Sequence, residues 1–147
     1  MPKAVVDSSV TIKWFVDEEF TAEADQLLTD LQNGALEALA QDFLIIEIGN
    51  ILWKKERAQL VSEAEARIIM NGWPSLPITW MASHDLLDDT FHLAVRHGRT
   101  LYDSLYLALS VRENCPFITR DEKLVNAVQR ALPQVLTLSQ WVQQNTP

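Results

Sequence analysis

Lys3-Ala4-Val5-Val6-Asp7-Ser8-Ser9 is the stretch whose reading decides the fold. Lys3 to Val6 make a short apolar strand that ends at Asp7, and Ser8-Ser9 are good helix-start residues, with oxygens that accept from free backbone N–H groups. Val10 to Val16 then suit a first short helix. The rest of the chain repeats this alternation. Thr21 to Gln32 has helical periodicity (Ala24, Leu27, Leu28, Leu31) and stops at Asn33-Gly34, a C-terminal helix signal. Leu36 to Ala40 reads as a second strand, and Asp42 as the cap of a helix from Phe43 to about Arg57. Ser62-Glu63-Ala64-Glu65 opens another helix with a capping-box pattern, running to Asn71-Gly72.

Beyond it, Leu76 to Met81 suits a strand, followed by Ser83 as a cap and a helix from His84 to His97-Gly98. Thr100 starts the next helix, to about Glu113. Phe117 to Thr119 is a brief strand, Glu122 to Ala131 a helix, Val135 to Leu138 a final strand, and Ser139 to Gln144 a short tail. Strands alternating with helices predict an α/β fold: one domain over residues 1–147, its central parallel sheet flanked by helices on both faces.

Bulk properties agree with such a domain. The chain is 48% hydrophobic and 22% charged, with few glycines and no low-complexity run, the profile of an ordinary globular protein. No signal-peptide pattern opens the sequence, because charge interrupts it before a long apolar region develops. The longest apolar stretch, near Phe43 to Trp53, carries Glu47 and is too short to span a bilayer, so no membrane partner is expected. Cys115 is the single cysteine, which excludes an internal disulfide and favours a small core residue in a reducing, cytoplasmic setting. The net charge of −8 argues at first against a nucleic-acid partner. Two bound divalent cations would halve it, so the position of the acids matters more than their number.

Four acids sit where acids are costly. Asp7 ends Val5-Val6-Asp7. Glu47 interrupts Phe43-Leu44-Ile45-Ile46-Glu47-Ile48, Asp103 lies in Leu101-Tyr102-Asp103-Ser104-Leu105-Tyr106-Leu107, and Asp121 follows Phe117-Ile118-Thr119-Arg120. The helices carrying Glu47 and Asp103 are apolar nearly all round, which predicts burial. A lone ionised carboxylate there costs several kcal/mol unless paired, protonated or bound to a cation. The basic residues offer no obvious match. Oxygen-only ligation selects magnesium or manganese over zinc. Ligands of open parallel sheets bind beyond the carboxyl ends of the strands, where all four acids are able to converge. Each also has a capping reading: Asp7 ahead of the first helix, Asp103 with Thr100, Asp121 ahead of Glu122. Glu47 is the hardest to assign to local structure.

At these residues the sequence resembles the PIN-domain family, particularly the VapC-type toxins of bacterial toxin–antitoxin pairs. The resemblance covers essentially the whole chain. Its marks are Val5-Val6-Asp7-Ser8-Ser9, then Glu47-Ile48-Gly49-Asn50-Ile51-Leu52, then Thr100 to Leu109, and finally Thr119-Arg120-Asp121-Glu122-Lys123-Leu124. Ser104 stands where the family commonly has alanine, and Gln41-Asp42 replace a more apolar approach to the Glu47 helix. The resemblance implies a metal-dependent endoribonuclease that cuts RNA, a cognate antitoxin that blocks the site, and a homodimer.

On that reading Asp7, Asp103 and Asp121 hold a magnesium ion, with manganese as a substitute, directly or through water. Glu47 with Asp7 orients a second ion or the attacking water. Ser9 and Thr119 offer hydroxyls, and Asn50 an amide, to orient the ligand carboxylates or a water; plain capping and turn roles stay open for all three. Arg96, Arg99, Lys54, Lys55 and Arg57 are candidate phosphate contacts, with solvated helix faces as the plainer account. His84, His92 and His97 show no metal-ligand spacing. Two rivals follow from the same acids. One is a non-catalytic module whose acidic pocket docks a partner's arginine. The other, a haloacid-dehalogenase-like phosphatase, requires a second Asp two residues after the first; Ser9 stands there and excludes it.

Overall fold

A computed structural model of the protein describes residues 2–16 and 21–146. Five strands form one sheet: β1 (Lys3–Val6), β2 (Glu37–Gln41), β3 (Ile78–Met81), β4 (Phe117–Thr119) and β5 (Val135–Thr137). Their order is β3-β2-β1-β4-β5 and every neighbouring pair is parallel. The sheet is therefore the predicted α/β type. Parallel pairing requires a crossover between strands, and the connections carry helices that cover both faces. Hence the strands read as continuous apolar runs, with Ala4, Val5, Val6, Phe117 and Ile118 wholly buried.

The helices described are α1 (Ser8–Thr11), α2 (Thr21–Gln32), α3 (Phe43–Arg57), α4 (Glu63–Asn71), α5 (Leu87–His97), α6 (Leu101–Glu113), α7 (Glu122–Val128) and α8 (Leu138–Asn145). Helix α1 starts at Ser8, two residues ahead of the Val10 expected, because Asp7 itself caps it. It then tightens into a 3₁₀ turn over Ile12–Trp14. Helix α7 stops at Val128, short of Ala131. Residues assigned to a tail form α8 instead, opened by a full capping box between Thr137 and Gln140. The Asp42 side chain does not cap α3. Gln41, fully buried, does so: its Oε1 accepts the Phe43 N–H at 2.8 Å, while Asp42 accepts from the Ser83 N–H.

Helices α5 and α6 are joined by Gly98-Arg99-Thr100. Gly98 has φ +64°, the left-handed conformation that ends α5 and that glycine adopts without steric cost. Thr100 then caps α6 by accepting the Asp103 N–H at 3.1 Å. Burial of the two acid-bearing helices differs from the all-round burial expected. In α6 every residue from Ser104 to Ser110 is buried. In α3 only the stripe Leu44, Ile48 and Leu52 is, while Ile46 and Trp53 are exposed. Cys115 is a buried free thiol pushed up to about 11, chiefly by burial, as suits a core residue. No helix among the described residues is long and apolar enough to cross a membrane.

Candidate active site

The chain builds β1, β2 and β3 outward in one direction, then returns to the far side of β1 to lay down β4 and β5. The reversal between β1 and β4 leaves a crevice at their carboxyl ends, the usual ligand position in such sheets. Asp7 follows β1 there, and Arg120-Asp121 follow β4.

Asp7 is buried, and its carboxylate is enclosed by donors. Oδ1 accepts the Ser9 N–H at 3.0 Å, the Val10 N–H at 3.3 Å and the Ser9 hydroxyl at 2.5 Å. Oδ2 accepts the Thr119 hydroxyl at 2.5 Å. The two hydroxyls are themselves anchored by main-chain N–H groups and lie 3.3 Å from each other. Ser9 Oγ accepts the Arg120 N–H at 2.9 Å, and Thr119 Oγ1 accepts the Asp121 N–H at 3.0 Å. With a lone pair so engaged, each hydroxyl directs its single proton to Asp7. Burial outweighs these hydrogen bonds and raises the Asp7 carboxyl from 3.8 to about 6.

Glu47 reaches the crevice from α3. Its Oε2 accepts the Ser8 hydroxyl at 3.5 Å, and its Oε1 accepts a short hydrogen bond from the Tyr106 hydroxyl. Burial lifts the Glu47 carboxyl from 4.5 to about 7, and repulsion from Asp7 and Asp103 adds to the shift. Tyr106 is raised well above the ordinary phenol value by burial first and by Glu47 and Asp7 after it. Neither Ser8 nor Tyr106 was singled out as a functional group by sequence. The available signal for Tyr106 was its place one turn after Asp103 on the same helix, with a hydroxyl on an otherwise apolar face.

Asp103 is not without a basic partner, contrary to the expectation for the four acids. Arg99 Nη2 lies 3.2 Å from its Oδ2, both side chains being largely covered. The sequence reading favoured a solvated face for Arg99, but Arg99 and Asp103 stand four residues apart at the start of α6 and pair there.

Asp121 is tied to Asp7 through Thr119, and its Oδ1 also caps α7 by accepting the Leu124 N–H at 3.1 Å. The structure thus places Asp7 and Asp103 each within electrostatic reach of Glu47, and links the Asp121 backbone N–H to Asp7 through the Thr119 hydroxyl. Among the second group of candidates, Ser9 and Thr119 both contact Asp7. Asn50 is exposed beside Glu47 but is not its hydrogen-bond partner.

The donor set suits a hard cation: oxygens only, two carboxyls raised by burial, and repulsion between neighbours. The cage is not closed by protein alone. Among the described residues no three His, Cys, Asp or Glu side chains gather tightly enough to hold one metal ion. Magnesium tolerates this, since one or two carboxylates with water and substrate phosphate commonly complete its shell.

The PIN domain family matches residues 4–129. The chain belongs to that family. Its relatives include Ribonuclease VapC3 of Pyrobaculum aerophilum, 32% identical over 124 residues, which is 83% of this chain and 92% of that protein. Ribonuclease VapC1 of Mycobacterium tuberculosis is 33% identical over 89 residues, 60% of this chain and 65% of that protein. Among solved structures, a Pyrobaculum aerophilum protein shares the PIN fold with a TM-score of 0.73 at 20% identity, covering 97% of this chain and 94% of the other. A toxin–antitoxin complex from Klebsiella pneumoniae has a chain with TM-score 0.60 at 17% identity, covering 92% and 97%.

Proposed function

We propose that this PIN domain is a VapC-type endoribonuclease that hydrolyses RNA phosphodiester bonds with magnesium and is neutralised by a cognate antitoxin. The observation that carries the reading is the shared edge itself. Asp7, just after β1, and Asp103, on α6, each lie close enough to repel Glu47 on α3, and burial with that repulsion lifts the Glu47 carboxyl to about 7. Such a constellation gives up stability for charge that only a cation or a positively charged group offsets. The VapC ribonucleases among its relatives support the reaction assignment.

Asp7, Asp103 and Asp121 would hold the cation, directly or through water, with Glu47 placed to orient the attacking water. A bound magnesium or manganese ion supplies Lewis-acid stabilisation of phosphoryl charge and a more acidic water. The chain's own part is orientation. Ser9 and Thr119 lock the Asp7 carboxylate by both oxygens, and Tyr106 and Ser8 hold Glu47 facing the crevice. Glu47, with its raised pKa, is suited to accept a proton from the attacking water near neutral pH. One domain over residues 1–147 and a homodimeric assembly complete the proposal.

A second reading has its own observation. Arg99 already sets a guanidinium on Asp103, which shows how an acidic pocket docks arginine. Cleavage of a mixed RNA pool separates the two. Wild type is expected to give fragments with magnesium or manganese and none with chelator, and Asp7→Asn none under any condition. A folded, antitoxin-free wild type that neither binds metal nor cleaves would transfer the assignment to the docking module.

A further inference from the structure

Arg99 belongs to the fold by its backbone and to the acid edge by its side chain. Its N–H donates to the Ala94 carbonyl at 3.2 Å and helps to close α5 behind the left-handed Gly98. A guanidinium binds an oxyanion best side-on, when Nε–H and the neighbouring Nη2–H point in parallel at two oxygens. In Arg99 that edge is half used. Nη2 lies 3.2 Å from Asp103 Oδ2, while Nε is buried and has no acceptor. The two side chains thus meet at one point, although they are 25% and 30% exposed and could in principle pair by two. A buried donor without an acceptor counts against stability. Here it calls for an oxygen that the protein itself does not supply.

Asp103 stands in the opposite relation. Its carboxylate repels Glu47, and the guanidinium of Arg99 offsets its charge. With Arg99 on Oδ2, no three acids among the described residues gather tightly enough to hold one metal ion. A guanidinium and a divalent cation compete for a carboxylate oxygen, because both are attracted by the same charge and the same lone pairs. The divalent ion carries twice the charge and draws on neighbouring acids as well. A one-point pair that still reaches water contributes little to stability, so it yields to such a competitor. The guanidinium it releases is left with both donors of its binding edge unused, beside a site that takes phosphate.

We propose that Arg99 is an exchangeable partner at the acid edge: it neutralises Asp103 in the cation-free site, competes there with the divalent ion, and offers its Nε–Nη2 edge to a phosphate of bound RNA once Asp103 is a ligand. This inference rests on the nuclease reading. It makes the contact between Arg99 and phosphate conditional on the cation, so that substrate is gripped fully only by a site that already holds its metal.

The test uses manganese as the probe in a Glu47→Gln background, which keeps Asp7, Asp103 and Asp121 and is chosen so that bound RNA is not cut. Manganese affinity is measured first without RNA, from the spectrum of the free ion. Arg99→Gln is expected to tighten it about tenfold, and to change it by no more than about twofold when Asp103→Asn is also present. Equal tightening in the Asp103→Asn background makes Arg99 a diffuse charge and overturns the exchange. Binding of an RNA oligonucleotide is then compared with manganese and with chelator. Arg99→Gln is expected to weaken it about tenfold with manganese and by no more than about twofold with chelator. Arg99→Lys, a point charge without the planar fork, is expected to recover only part of the loss. An equal loss in both conditions, or none in either, overturns the proposal. Should Asp103→Asn unfold the chain, the RNA comparison decides alone. The two readings fail separately. Metal-conditional binding through Arg99 by a wild type that never cleaves removes the nuclease and leaves the exchange standing; a wild type that cleaves, with Arg99 indifferent to the metal, does the reverse.

Discussion

The two halves of the acid edge are built on different principles. On the strand side, Asp7, Ser9, Thr119 and Asp121 form a lattice in which backbone N–H groups fix hydroxyls and the hydroxyls fix a carboxylate. On the helix side, Glu47, Tyr106, Asp103 and Arg99 are held by side chain against side chain, and their coupling is chiefly one of charge. The strand half is rigid because its anchors are main-chain atoms at the ends of β1 and β4. The helix half has no such main-chain anchors, and burial with like charge raises the Glu47 carboxyl there. A nuclease site needs both, a fixed ligand to define position and a responsive group to handle a proton.

The sharpest break in this contrast is expected from Asp7→Asn. Cleavage is lost, yet thermal unfolding at pH 8 is nearly unchanged, because the amide keeps most hydrogen bonds and sheds a buried charge. A large fall in melting temperature together with residual cleavage would show that Asp7 serves the fold and not the reaction. Next comes Thr119→Val, which removes the hydroxyl on which Asp7 and the Asp121 N–H both depend. Cleavage should fall about 10- to 100-fold and stability by about 1–3 kcal/mol, the cost of an unpaired buried group. Denaturant melts and initial rates check it; a variant with wild-type rates would mean that the lattice merely caps.

The helix half is probed by pH. Asp7 and Glu47 both have carboxyls raised in the folded state, to about 6 and about 7. Protons are therefore bound more tightly folded than unfolded, and the resulting stability is full below about pH 4 and lost as pH rises through 6 to 7. The metal-free protein should melt lower at pH 8 than at pH 5, and magnesium should recover more stability at pH 8, where its ligands are ionised. Glu47→Gln should flatten the difference; a metal-free melting temperature that climbs from pH 5 to pH 8 contradicts the assignment. The smallest effect is expected from Tyr106→Phe. Without that hydroxyl, which lowers the Glu47 pKa, the acid limb of the rate profile should move to higher pH while the rate on the plateau changes little.

How much of this was legible differs by element. The sheet's parallel character followed from the alternation of apolar strands and capped helices, and each acid's location followed from its interruption of an apolar run. Helix α8 was missed although Thr137 and Gln140 have capping-box spacing, because Leu138 was read into the strand and Ser139 to Gln144 as a tail. Gln41 was not legible: a glutamine in an apolar stretch reads as an anomaly until its side chain is seen capping α3. The Arg99–Asp103 pair was legible as a four-residue spacing but was passed over in favour of a solvated face for Arg99.

By itself, then, the sequence determined the strand and helix types and the identity of the acids, since periodicity, caps and the cost of a lone carboxylate are local physics. Only the tertiary structure decided that β1 and β4 are neighbours, so that Thr119 bonds to Asp7 across 112 residues, and that Tyr106 reaches Glu47 across 59. Such contacts depend on strand order and helix packing. No local pattern records them, because a hydroxyl's partner is set by what the whole fold brings to it.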